Sequence, residues 1–449
     1  MRFKLVNKKR TPTYYNYSEH KIKPSQIDSR SFSIAKKLKS AGHEAYIVGG
    51  AIRDILLNST PKDFDIVTDI SPEEIVELFP SSYIIGRRFK LVHIRYKGHI
   101  TEVSTFRAKS PNMRQIIKGV FNFRSDKYFY QNIYGSMEDD VMRRDLTFNA
   151  LYYDPIDGTL IDFAGGYPDI KAKRIRVVGV PTKRFKEDPM RILRIIRFSA
   201  KLGFKMSASM VKDVGQMKDK ILTLPSSRIF EEFNKFFLTG YAYKSYKHLL
   251  KHDCMKYLIA YNWDNISDND RMMIETAIKE ADSRYAKQQY LAALFLLSMF
   301  LWPKYNDMIR KMGKASSMKN RNMRANHRKV CALILQEQKK SMAIPIKLAI
   351  RLDKIWRLQH DMESTANRNI NERNNDSNNK LTPQNHQRFV DNSNFKMAYG
   401  LMKARAVGRP ALVKICDYWE EYAEKSSRSI DDKRHHKPSR RSRRKPQVN

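Results

Sequence analysis

Asp63 and Asp65 stand one residue apart in an otherwise apolar stretch, Asp63-Phe64-Asp65-Ile66-Val67. In an extended strand residues i and i+2 face the same side, which sets the roots of the two side chains ~6–7 Å apart. Carboxylates that close repel unless cations separate them, and the spacing suits two Mg²⁺ ions ~3.5–4 Å apart, with Mn²⁺ as an alternative. Such ions would activate a 3′-hydroxyl and hold the triphosphate of a nucleotide. Glu102, in the predicted strand Ile100–Thr105, offers a third carboxylate from a neighbouring strand. Upstream, Gly49-Gly50 turns the chain into a predicted helix, Ala51–Leu57, and bare amides at a helix start cradle phosphate. Arg53 is placed to add charge there. An isolated Asp-x-Asp is more often a solvent-facing strand edge; the Gly-Gly turn ahead of this one favours phosphate chemistry.

These residues need a sheet to carry them, and the flanking pattern predicts one. A helix ends near Ser40 with Gly42 as its stop, Glu44–Val48 reads as a strand, and Asp63–Val67 as the next. Ser71-Pro72-Glu73-Glu74 is a capping box that opens a helix to about Phe79. Two hairpins follow, Leu91–Tyr96 with Ile100–Thr105 and Leu151–Asp154 with Thr159–Phe163. Beyond Asp169 the periodicity is helical: Glu187–Lys201, Ser227–Leu238, Arg284–Trp302, Ile344–Met362 and Phe395–Ala406. The expected class is α+β, a mixed α/β unit followed by helices and a basic disordered C-terminus. The expected boundaries are a flexible basic leader over 1–25, the mixed unit over 26–168, helical segments over 169–240 and 241–424, and the tail over 425–449. Seven of the thirteen residues from Asn367 to Asn379 are Asn, so 364–387 is expected to be a disordered insert or a long loop.

The 449 residues carry 85 Lys and Arg against 47 Asp and Glu, a formal charge of +38, with 41% hydrophobic residues. That is too apolar for a disordered chain and too basic for indifference to polyanions. Three scattered cysteines exclude a disulfide framework. The longest apolar run, Tyr290–Trp302, is 13 residues and too short to span a bilayer. Met1–Lys9 lacks the apolar core of a signal peptide. The reading is a soluble, cytoplasmic monomer without a transmembrane segment. The last 25 residues hold ten Lys/Arg and two Asp, a net of +8, so the rest of the chain is basic too. Nucleic acid is therefore favoured over membrane lipid as the polyanion, with Arg440, Arg441, Arg443, Arg444 and Lys445 as RNA-binding residues. The alternative for that run is a solvated tail.

Gly49-Gly50-Ala51-Ile52-Arg53-Asp54, followed by Pro61-Lys62-Asp63-Phe64-Asp65-Ile66-Val67-Thr68, resembles the head motif of the class II nucleotidyltransferases, the tRNA CCA-adding enzymes and bacterial poly(A) polymerases. Arg143-Arg144-Asp145-Leu146-Thr147-Phe148-Asn149 resembles the family's next motif, which helps bind ATP and select ribose. Asp162-Phe163-Ala164-Gly165-Gly166 resembles its head–neck hinge, and Arg184-Phe185-Lys186-Glu187-Asp188-Pro189-Met190-Arg191 with Arg194 and Arg197 its base-reading neck helix. The resemblance covers nearly the whole chain and implies that 26–168 is the head, with the all-helical neck over 169–240 and body over 241–424. Gly86-Arg87-Arg88-Phe89-Lys90-Leu91-Val92-His93-Ile94 and the Arg-rich C-terminal part lean to the polymerase branch.

The resemblance implies a metal-dependent, template-independent enzyme that adds AMP from ATP to RNA 3′ ends and marks RNAs for decay, with the RNA-decay machinery as a candidate partner. Asp63 and Asp65 would bind Mg²⁺, with Glu102 and Asp145 as further active-site acids. Gly49, Gly50, Arg53, Arg144 and Asn149 would hold the nucleotide. On one helix face, Glu187, Asp188 and Arg191 could pair a carboxylate with an exocyclic amine and a guanidinium with the adjacent ring nitrogen. That pattern selects adenine or cytosine over guanine or uracil; the alternative is an ordinary salt bridge. Arg194 and Arg197 extend the positive strip toward the triphosphate, unless they are a solvated face. Between Arg107 and Tyr134, basic residues interleave with aromatics, a mixture suited equally to stacking on single-stranded RNA and to a mobile loop. The competing functions are CCA addition to tRNA, which stops after three nucleotides, and a non-catalytic RNA-binding protein, which predicts replaced metal carboxylates.

Overall fold

Strand β3 (Asp65–Thr68) lies in the middle of an eight-stranded mixed sheet, and its surroundings explain why the carboxylates can sit there. The computed structural model describes residues 11–86, 90–96, 98–107, 134–315, 323–375 and 383–435. The chain divides into two compact units, 1–220 and 221–449.

In the first unit the strands are β1 (Thr13–Tyr15), β2 (Ala45–Val48), β3, β4 (Ser82–Ile85), β5 (Leu91–Tyr96), β6 (His99–Thr105), β7 (Leu151–Tyr153) and β8 (Leu160–Asp162). Their order is β1-β8-β7-β2-β3-β6-β5-β4. β2 runs antiparallel to β3, β3 parallel to β6, and β5 with β6 forms the expected hairpin. Successive residues of β3 point to opposite faces, and both faces are covered. Ile66 joins Ile34, Leu38, Val92 and Val103 beneath the helices Ser29–Ser40 and Pro72–Leu78. Val67 joins Val48, Phe106, Val141 and Tyr152 on the side of the helix Met137–Arg143. Each of these buried side chains contributes ~1.5–3 kcal/mol. Asp65 shares the face of Val67 but sits at the strand's first position, where the apolar cover ends.

Several expectations are corrected. The leader is not wholly flexible: β1 pairs antiparallel with β8 and closes one sheet edge, and His20 is buried. The strand carrying the acids begins at Asp65, so Asp63 lies outside it. The reason is its ladder partner: β2 ends at Val48, opposite Asp65, and Gly49 then turns away at φ 72°. The predicted helix Glu187–Lys201 begins only at Met190, as Met190–Leu202, and Glu187 instead ends a separate helix, Pro181–Glu187. Pro189 disfavours helical backbone at the residue before it, and Asp188 is extended at φ −148°. The two units part between residues 220 and 221, inside the expected neck.

The second unit is built of helices. Phe233, Phe237, Phe300 and Tyr246 form an aromatic core, with Phe237 and Phe300 4.8 Å apart. The predicted helix Arg284–Trp302 is broken: one helix ends at Ala286, Ala293–Phe300 is the next, and Trp302 opens a third with Pro303 in its first turn. A polar cluster is buried beside Trp302 and Trp356. His327 and His360 lie 4.2 Å apart, Tyr305 Oη is 2.6 Å from His327 Nδ1, and Arg405 covers the Trp302 ring at 4.0 Å while pairing with Glu363. The Asn-rich stretch is helical as far as Asn375, within Ile346–Asn375, and another helix covers Pro383–Val390, so the expected disordered insert is not one over those residues. Buried Ala366 and Asn369 anchor it. The last helix, Pro410–His435, runs into the expected disordered tail. No helix among the described residues is long and apolar enough to cross a membrane. Arg87–Phe89, the basic-aromatic stretch 108–133, and Arg440, Arg441, Arg443, Arg444 and Lys445 lie outside the described residues.

Candidate active site

Three carboxylates converge at the end of β3. The pair Ile66–Val103 fixes the parallel register of β3 and β6, so Asp65 and Glu102 stand one step before it on adjacent strands and the same face. Asp63 approaches from the extended segment just ahead. Their proximity is electrostatic as well as geometric. Asp65 keeps solvent access, yet crowding by protein pushes its carboxyl up to about 6, helped by the charges of Glu102 and Asp63 and opposed by Arg144. Such a site binds a proton or a cation readily, and Arg144 alone does not neutralise it. His93, opposite Glu102 in the β5–β6 hairpin, places Nε2 3.9 Å from a Glu102 oxygen and Nδ1 3.4 Å from the Tyr83 hydroxyl.

Among the described residues no three His, Cys, Asp or Glu side chains close into a shell around a metal. That still fits Mg²⁺, which is typically held by one or two carboxylates, waters and substrate phosphates rather than by an all-protein cage. Hard oxygens gathered at one place, with a carboxyl raised first by burial and then by its like-charged neighbours, are the donor set such an ion wants.

Beside the acids lies the glycine turn. Gly49 adopts φ 72°, ψ −121°, a backbone that L side chains rarely reach, and a Cβ on it would sit 3.4 Å from Arg144 Nη1. Arg144 is fixed on three sides: Nε donates to Tyr152 Oη at 2.9 Å, Nη2 to Asp140 at 3.0 Å and Nη1 to the Asn149 carbonyl at 3.3 Å. Arg53 is buried, donating through Nη1 to Asn149 Oδ1 at 2.7 Å and through Nε to Asp54 at 2.8 Å, with the Phe198 ring 5.1 Å away. Gly50 begins the helix Gly50–Leu56 on which Arg53 sits. Asn149, in the turn Thr147–Asn149, therefore braces both arginines.

Burial alone would raise the Asp145 carboxyl; the ion pair with Arg194 and donors from Leu146 N–H at 2.8 Å and Asn149 at 3.4 Å hold it below the ordinary carboxylate range. Arg197 lies over Phe198 at 4.4 Å. Three guanidinium groups, of Arg53, Arg194 and Arg197, thus surround one phenyl ring.

The neck does not form the expected single face. Glu187 pairs with Arg184, and Arg191 donates through Nη1 to the Arg144 carbonyl at 2.9 Å and through Nη2 to the Arg143 carbonyl at 3.1 Å. Arg184 Nη2 reaches the same two carbonyls at 3.0 Å each. The two guanidinium groups cap the last carbonyls of the helix Met137–Arg143. Burial and the Arg184 charge push Arg191 down to about 10. Asp188 stands in the extended link between helices, where one oxygen accepts from Met190 N–H at 3.3 Å.

The structure thus brings together Gly49, Gly50, Arg53, Asp63, Asp65, Glu102, Arg144, Asp145, Asn149, Asp188, Arg191, Arg194 and Arg197 in one unit, and turns Glu187 to Arg184. Sequence reading missed the clamp role of Arg184 and the supports Asp140, Tyr152 and Phe198. Only the hairpin register, which sets His93 against Glu102, could have flagged another residue.

Three family models match: the poly A polymerase head domain over residues 45–176, the "Probable RNA and SrmB- binding site of polymerase A" over 203–261, and the polymerase A arginine-rich C-terminus over 318–448. The poly(A) polymerase I of Escherichia coli O6:H1 is 31% identical over 414 residues, covering 90% of this chain and 84% of its own. The CCA-adding enzyme of Bacillus licheniformis is 35% identical over 213 residues, 46% of this chain and 49% of its own. The crystal structure of the Bacillus stearothermophilus CCA-adding enzyme with CTP shares the fold at a TM-score of 0.56 and 23% identity, over 92% of this chain and 83% of that one. The CCA-adding relative matches 46% of this chain, whereas the poly(A) polymerase relative matches 90% of it and the arginine-rich C-terminal family model covers 318–448. The chain is a nucleotidyltransferase, and it belongs to the poly(A) polymerase family.

Proposed function

We propose that this chain extends RNA 3′ ends with AMP from ATP, without a template, at the Asp63–Asp65–Glu102 site. The 3′-hydroxyl oxygen attacks the α-phosphorus, forming the new phosphodiester bond as the bond to pyrophosphate breaks. Divalent ions, Mg²⁺ or Mn²⁺ held by Asp63 and Asp65, would supply a lowered hydroxyl pKa and charge neutralisation for the phosphates. The rest falls to the chain's own side chains. Glu102 adds negative charge beside Asp65, and Arg144 sets how much of it remains. Gly49 and Gly50 leave room for phosphate oxygens, with Arg53, Arg194 and Arg197 supplying positive charge around them. Asp145 holds Arg194 in place. Asp188 accepts from the exocyclic amine of adenine, and Arg191 donates to the ring nitrogen by exchanging one of its two carbonyl partners.

The observation that carries this reading is the convergence of three acids, one pushed up to about 6, beside an arginine-lined glycine turn. The tails mark RNAs for decay in the cytoplasm, by a monomeric enzyme that meets the decay machinery on RNA; for the RNA contact alone, the support is the net charge of +38 and the RNA-binding family match. The test is incubation of the purified protein with ATP or CTP and two RNAs, a generic transcript and a tRNA lacking its terminal CCA. Long adenylate tails on the transcript are expected. Three-nucleotide addition confined to the tRNA would replace this reading with CCA addition.

A further inference from the structure

Within the second unit, a cavity of about 410 Å³ opens between the helices Ile346–Asn375 and Pro383–Val390, on residues to which the reaction assigns nothing. Its walls are polar and asymmetric in charge: exposed Arg368 and Arg388 face it along with one carboxylate, Asp361. Phe389 supplies a half-buried ring that leans on Trp419 at 5.0 Å and 57°. Asn369 is 5% exposed, and its Oδ1 accepts no hydrogen bond from any described residue. Its amide nitrogen and His386 both meet the Tyr418 hydroxyl, and the His386 ring stacks on Tyr422 at 4.5 Å and 6°. The floor is therefore fixed by an aromatic stack, cations line the opening, and the unmatched amide oxygen of Asn369 is buried in the wall behind them.

We propose that this cavity binds one internal nucleotide of single-stranded RNA, with the base against Phe389 and Asn369 and the flanking phosphates on Arg368 and Arg388. It rests on the reading that the chain extends RNA; the 3′-terminal nucleotide belongs to the carboxylate site, so the nucleotide held here is an internal one. The volume lies in the range that encloses small ligands. Guanidinium groups beside an aromatic face are the common means of gripping single strands. A buried oxygen without a donor is unfavourable, and a ligand amine that reaches it relieves that cost. Adenine carries such an amine where uracil carries a carbonyl, so oligo(A) is the preferred occupant. An acidic peptide would use the two arginines and leave the ring and the amide without a part.

The test measures oligo(A) and oligo(U) binding by fluorescence anisotropy in EDTA, so that catalysis plays no part, across a salt series. The double variant Arg368→Ala/Arg388→Ala changes only exposed side chains. A control of equal charge change in the same unit is Lys339→Ala/Lys340→Ala. The wild type binds oligo(A) more tightly than oligo(U). The site variant loses at least tenfold more oligo(A) affinity than the control, and its slope of log affinity against log salt falls by ~1.4, two phosphates at ~0.7 each. Photo-crosslinks from 8-azidoadenosine within the oligonucleotide map to residues 358–369 or 383–392. Equal losses in the two variants, crosslinks elsewhere only, or undiminished binding of an acidic peptide competitor in place of RNA would overturn the proposal. Site-specific binding without AMP incorporation would instead refute the proposed function and leave this site standing.

Discussion

His360 offers a quantitative test of how the helical unit is held together. Its half-buried ring packs against His327, Tyr305 and Trp302, and desolvation, with the charges of His327 and Arg405 added, pushes it down to about 3. In the unfolded chain the same imidazole titrates near 6.5. A base whose folded pKa is lowered adds nothing to the pH dependence above 6.5, and below it the unfolded state binds the extra proton, so stability falls with pH until about 3. At pH 5, 1.5 units below 6.5, the cost is about 2 kcal/mol at 1.36 kcal/mol per unit. For a unit of this size that is a loss of ~4–8 °C in melting temperature. Burial lowers His327 as well, so it acts in the same direction. The perturbation is His360→Phe, which keeps a flat ring and removes the titration. All four tryptophans, Trp263, Trp302, Trp356 and Trp419, lie in residues 221–449, so fluorescence excited selectively at tryptophan reports this unit. Urea melts at pH 8 and pH 5 give the stability gap between variant and wild type. The gap should shift by about 2 kcal/mol in favour of the variant at pH 5; a gap that is the same at both pH values refutes the argument.

Four further outcomes follow from the first unit. Asp63→Asn and Asp65→Asn should each lower AMP incorporation by at least ~10³-fold, scored on a labelled transcript, with melting temperatures within a few degrees of wild type because both side chains reach solvent. Arg184→Ala removes two donors from the Arg143 and Arg144 carbonyls and should cost ~2–4 kcal/mol in denaturant melts, with Arg184→Lys recovering part of it. Gly49→Ala forces a Cβ into a strained backbone and should destabilise by ~1–3 kcal/mol while raising the KM for ATP. Gly166→Ala places a Cβ 2.2 Å from the Thr147 carbonyl oxygen, which side-chain movement cannot relieve, and should give mainly insoluble protein on expression.

Where local rules decide, the sequence was a good guide. The capping box at Ser71, the hairpin β5–β6 and the helix Phe395–Ala406 all stand where composition and period put them. The glycine turn and the strand bearing Glu102 were also legible as elements, whereas the strand assigned to both acids holds only Asp65 and its parallel pairing with the Glu102 strand carried no sequence signal. What escaped depends on partners distant along the chain. The beginning of β3 is set by where β2 ends, the strand Thr13–Tyr15 exists because β8 offers an edge, and the Asn-rich helix persists because Asn369 is packed beside residues near 386 and 418. The neck misled for a local reason: Pro189 was visible, but helical period outweighed it. The Arg191 clamp is a tertiary contact without a sequence signature.

The order of strands has a consequence for biogenesis. Five neighbours, β2, β3, β6, β5 and β4, come from one continuous stretch and can pair as soon as it is made. The outer edge of β2 waits for β7, and Thr13–Tyr15, made well before its partner, stays unmatched until Leu160–Asp162 is translated. A nascent chain arrested before that point would expose two unsatisfied strands, and would be a natural client for a chaperone rather than a premature enzyme.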